Sequence, residues 1–102
     1  MPIFMTAHYE VKPDAVDDVR AAIVEFVKYI QAEEPGSIMY RAWQNPSSPN
    51  EFVHLFEFAD AAARERHGGS GAVKRFESIY QPQLLTGPVR FTEYDEVARV
   101  VR

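Results

Sequence analysis

Residues 34–58 read EPGSIMYRAWQNPSSPNEFVHLFEF, and the fold follows from how this stretch divides. Pro35-Gly36 stops a helix, because proline cannot continue one and glycine tolerates the turn that comes after. Ser37–Gln44 and Glu51–Phe58 are rich in aromatic and β-branched residues, the composition of strands. Between them, Asn45-Pro46-Ser47-Ser48-Pro49-Asn50 is turn chemistry throughout. The spacing predicts an antiparallel hairpin with a long loop, entered directly from a helix.

Working outward, that helix is written upstream. Val16, Val19, Ile23, Phe26, Val27 and Ile30 recur at steps of three and four, while Asp17, Arg20, Lys28 and Gln31 fall off the stripe. Asp14 after Pro13 is the expected N-cap. Before it, Ile3–Val11 alternates with a period of two and reads as a strand. Downstream, Asp60 caps a short helix from Ala61 to about Arg66 that halts at Gly68-Gly69. Ser70 caps a second, with Val73, Phe76, Ile79 and Tyr80 on one face. Thr86-Gly87-Pro88 breaks the chain, and a last strand is expected from Val89 to about Val97. The order β-α-β-β-α-β predicts an α+β ferredoxin-like antiparallel sheet with helices on one side, one domain over 1–102.

The chain has 102 residues, 11 Lys+Arg against 15 Asp+Glu and no Cys. The missing thiols exclude disulfide scaffolds, thiol nucleophiles and thiolate metal sites. An acidic balance without a basic stripe argues against nucleic acid as a partner. No apolar run is long enough for a membrane span, and the N-terminus lacks signal-peptide features, so a cytoplasmic protein is expected.

The strands place bulky residues on both faces: Phe52, Phe56 and Phe58 on one side, Val53 and Leu55 on the other. Ile38, Tyr40 and Ala42 likewise oppose Met39, Arg41 and Trp43. Two helical segments cover one face only. A second copy of the chain is the expected cover for the other, giving a homodimer.

Several pieces, in order, resemble the antibiotic biosynthesis monooxygenase family, dimeric α/β-barrel proteins that include small quinol monooxygenases. They are Glu34–Tyr40, Asn45-Pro46 with Pro49–Val53, Glu57-Phe58 before Asp60, then His67, Ser70 and Lys74-Arg75-Phe76, and Gly87-Pro88-Val89. Asp14, Arg66 and Ala72 depart from the family pattern; at Ala72 a second His is missing. The resemblance implies a monooxygenase that oxidises an electron-rich aromatic, a quinol or polycyclic phenol, with O2 and no cofactor. It leaves open a haem-binding or haem-degrading protein, and a non-catalytic barrel holding a small hydrophobic ligand.

His67, matching the family's helix-break His, is the candidate catalytic residue. Its imidazole suits removal of a phenolic proton, although the end of a helix also favours a cation for its own sake. His54, in the same parity as Phe52 and Phe56, is a polar group on an apolar wall; it reads either as a substrate-orienting residue or as a satisfied core histidine. Tyr40 and Trp43, on opposite faces of their strand, are substrate-binding candidates that pair an aromatic surface with a polar tip. His8 and Glu10 form only a weak His-x-Glu pattern, and no metal site is expected. No Gly-rich phosphate loop or nucleophile elbow is present.

Overall fold

The computed structural model describes residues 1–102. Strand β1 (Ile3–Glu10) leads through a 3-10 turn at Pro13–Ala15 into helix α1 (Val16–Glu33). The hairpin β2 (Ser37–Asn45) and β3 (Ser48–Phe58) follows, then helices α2 (Ala61–Gly68) and α3 (Gly71–Tyr80), and the edge strand β4 (Arg90–Tyr94). The sheet runs β2-β3-β1-β4 with every pair antiparallel, the expected ferredoxin-like α+β arrangement. No helix is long and apolar enough to cross a membrane.

Three local expectations are corrected. The hairpin loop is tight: Asn45 pairs with Ser48, and Pro49 and Asn50 belong to β3. The Asn45 side chain accepts the Ser47 amide at 2.9 Å, closing an Asx turn that shortens the connection. Asp14 makes no capping hydrogen bond; it lies inside the 3-10 turn that Pro13 opens. The last strand ends at Tyr94, and Val97 is fully exposed. The caps at Asp60 and Ser70 form as expected, accepting the amides of Ala63 at 2.8 Å and Val73 at 3.1 Å.

One face of the sheet carries the core. Val19, Ile23, Phe26 and Ile30 of α1 and Phe76 and Tyr80 of α3 are buried against Tyr9 and Phe52. Ala63 of α2 joins Ala7, Phe56 and Phe58. Each fully buried aromatic ring here contributes about 1.5–3 kcal/mol of transfer free energy. The opposite face carries Phe4, Thr6 and His8 of β1, Val53 and Leu55 of β3, and Arg41 and Trp43 of β2. Residues 95–102 form no strand, but Arg99 crosses this face, 2.7 Å from the buried Glu57 carboxylate and over the Phe4 ring.

Candidate active site

Between sheet and helices lies a chamber of about 310 Å³ with a mostly apolar lining. Its floor is the inner parity of three strands: Met5, Ala7 and Tyr9 of β1, Tyr40 of β2, and His54, Phe56 and Phe58 of β3. Phe26 of α1 and Val73, Phe76 and Tyr80 of α3 form the walls, and exposed Arg64, Gly68 and Phe91 lie at the rim. The period of two concentrates aromatic rings on this floor.

Two polar clusters interrupt the apolar lining. The first is built on α2. His67 sits in the last turn of that helix, where its Nδ1 is 2.7 Å from Glu34 Oε1. Glu34 is the residue that caps α1 at its C-terminus, immediately before the Pro35-Gly36 stop. Ser37 Oγ donates to the same oxygen at 3.0 Å, while Glu34 Oε2 is buried without a partner. His67 and Glu34 side chains are only 12% and 11% exposed, so the pair is shielded from bulk water. The His67 ring packs among Phe26, Tyr40, Phe56 and Phe58, with centroids 5.2–6.3 Å away.

The contact between α2 and the Pro35-Gly36 turn depends on Gly36. A Cβ at that position would lie 2.7 Å from the Ala63 Cβ, so only glycine allows the helix so close. The Gly36 carbonyl also accepts the Ala59 amide at 2.8 Å, fastening the turn to the segment that leads into α2. Together these contacts bring His67 to Glu34 across 33 residues of sequence.

The second cluster is at the sheet. His54 is 1% exposed and hydrogen-bonded at both ring nitrogens, Nε2 to the Tyr9 hydroxyl and Nδ1 to the Tyr40 hydroxyl, each at 2.7 Å. Burial pushes its pKa down to about 4, so the ring is neutral at physiological pH. Burial raises Tyr9 and Tyr40 above the ordinary phenol value, and both stay protonated.

The structure therefore brings His67, His54 and Tyr40 to one chamber. Trp43 is not brought there: it pairs with Val53 on the opposite face and is 52% exposed. Its parity is opposite to that of Tyr40, so one strand could not present both residues to one cavity. His8 and Glu10 also lie on the opposite side of β1 from Tyr9 and Ala7. Sequence reasoning passed over Tyr9 and Glu34 as functional groups. Tyr9 was legible in principle, since its parity follows Met5 and Ala7. Glu34 had no comparable signal, because its partner lies on an element whose packing no local pattern specifies.

Comparison with solved structures finds the same fold in other proteins. A candidate antibiotic biosynthesis monooxygenase from Bacteroides thetaiotaomicron superposes with a TM-score of 0.89 at 16% identity, covering 99% of this chain and 94% of the other. Rv0793 from Mycobacterium tuberculosis superposes at 0.85 with 21% identity, covering 99% and 100%. A conserved protein from Methanosarcina mazei Go1 does so at 0.82 with 21% identity, covering 92% and 91%. No curated protein sequence matches the chain. At these identities the superpositions speak for the fold alone, while the sequence family described as antibiotic biosynthesis monooxygenase matches residues 2–78. On that match, the chain belongs to the antibiotic biosynthesis monooxygenase family.

Proposed function

We propose that the protein is a cofactor-independent monooxygenase acting on an electron-rich aromatic, a quinol or polycyclic phenol, with His67 as the base. One observation carries this reading: His67, held by Glu34 at 2.7 Å, lines an apolar chamber walled with aromatic rings. A carboxylate accepting from Nδ1–H fixes the tautomer and leaves Nε2 as the proton acceptor. This is the orienter–base relation that general-base catalysis needs.

The chemistry closes on substrate and O2 alone. His67 takes a phenolic proton, and the phenolate passes one electron to O2, giving a ring radical and superoxide. Their recombination forms a carbon–oxygen bond. Loss of water from the resulting hydroperoxide leaves a carbonyl. One oxygen atom enters the ring, the other departs as water, and all four electrons come from the substrate. A hydroquinone thus becomes a hydroxyquinone. The apolar walls exclude water and strengthen every electrostatic contact made during the step.

Oxygen uptake with a panel of quinols in metal-free buffer tests the proposal. One O2 consumed per quinol is expected. His67→Ala activity equal to that of the parent protein rules out the assigned role.

A second copy of the chain is the proposed cover for the outer sheet face. Phe4, Val53, Leu55 and Trp43 leave an apolar surface there, and Thr6 Oγ1 is buried within it without a partner. A surface that is apolar on every copy is self-complementary under a two-fold axis. Sedimentation at micromolar concentration should give a dimer; a monodisperse single subunit contradicts it.

A further inference from the structure

His54 poses a counting problem. A neutral imidazole has one N–H and one lone-pair nitrogen, and each tyrosine hydroxyl has one proton to donate. The Tyr9–His54–Tyr40 chain therefore holds three donor protons, and its two hydrogen bonds use two of them. The tyrosine that accepts from the ring keeps its own O–H, and neither hydroxyl has another partner in the protein. Exchanging the His54 tautomer reverses both bonds and moves the spare proton to the other tyrosine. Both tyrosines line the chamber.

We propose that this chain is the chamber's oxygen-recognition device, in which His54 places a single free O–H on Tyr9 or Tyr40 to receive a planar ligand's carbonyl or phenolate oxygen. The burial of all three side chains supports it. Protonating His54 would make both nitrogens donors and require both tyrosines to accept, and burial opposes that state. Ionising either tyrosine is opposed in the same way. The donor is thus neutral and relocatable, suited to an oxygen acceptor rather than to a cation. His67, held by Glu34, offers a proton acceptor to the same chamber. A ligand with one oxygen to deprotonate and another to stabilise fits both.

This inference rests on the reading of the chamber as an aromatic site, and its test avoids turnover. The probes are 9-fluorenone and fluorene, planar molecules of nearly equal size, of which only fluorenone bears an acceptor oxygen. Fluorenone is expected to bind about tenfold more tightly. In protein labelled with 15N-histidine, free His54 should be neutral, with both ring-nitrogen resonances averaged between the protonated and bare positions by tautomer exchange. Fluorenone should move these resonances toward a single tautomer, and fluorene should leave them in place. The double variant Tyr9→Phe/Tyr40→Phe should bind both probes equally. If that variant does not fold, the His54 resonances of the parent protein decide. Equal affinities in the parent, or His54 resonances indifferent to fluorenone, overturn the recognition device and leave the aromatic chamber standing. Failure of both probes to bind overturns the two together.

Discussion

The chamber holds two histidines under the same aromatic roof, and they are opposite in kind. His54 is enclosed by neutral phenols, bonded at both nitrogens and held uncharged by burial. His67 is anchored at one nitrogen by a carboxylate. A ring whose nitrogens are both engaged by neutral partners passes hydrogen bonds along. A ring held by an acid at one nitrogen keeps the other for a proton. What a histidine does is thus set by its partners and not by its neighbourhood, since Phe76 and Tyr40 stack on or edge against His54 much as Phe58 and Phe26 surround His67.

The largest effect that would break this contrast is catalytic. Replacing His67 with Ala is expected to lower kcat for quinol oxygenation by at least about 100-fold, the range lost with a general base. Glu34→Gln should lower it less, because the amide still meets Nδ1 but no longer compensates the imidazolium. Steady-state oxygen uptake reads both. If His54→Ala abolishes turnover while His67→Ala does not, the two roles are reversed.

Folding stability should show the next effect, and it comes from His54. Its folded pKa of about 4 lies below the ordinary value of 6.5, so the unfolded chain binds more protons between those limits. The stability due to the neutral ring is complete above pH 6.5 and is lost as pH falls toward 4. The loss amounts to about 3 kcal/mol when integrated over that window. Urea unfolding of the parent protein and His54→Gln at pH 7 and pH 4.5 measures it; the variant should show the shallower pH dependence.

Gly36→Ala sharpens the contrast from the backbone. The added methyl displaces α2 from the Pro35-Gly36 turn, at a cost of about 1–3 kcal/mol. It should reduce oxygenation by disturbing Glu34–His67 while leaving the 15N resonances of His54 in place. The smallest effect is expected from Asp60→Ala, which removes the α2 cap for about 1 kcal/mol. Amide exchange should rise within Ala61–Gly68 and remain unchanged along β3.

Most of the architecture was legible before any coordinates. The α1 stripe, the Asp60 and Ser70 caps and the parities of β1 and β3 are written in local spacing, and each appears as read, whereas a bulge between Ser37 and Met39 takes Ile38, 56% exposed, out of the Tyr40 parity. The errors fell where a side chain acts on its own backbone. Asn45 closes the hairpin earlier than its run of turn residues suggested, and Pro13 opens a 3-10 turn in place of an Asp14 cap. The site was legible in part. Parity separated Tyr40 from Trp43, and the helix break marked His67. Nothing local joined His67 to Glu34, or His54 to Tyr9 across 45 residues.

By itself the sequence determined the order of helices and strands and which side chains share a face, because periodicity and capping act over a few residues. The tertiary structure decided which polar groups meet. Hydrogen bonds between distant elements depend on the close approach at Gly36 and on the pairing of Ala7 with His54, distances that only the packed chain sets.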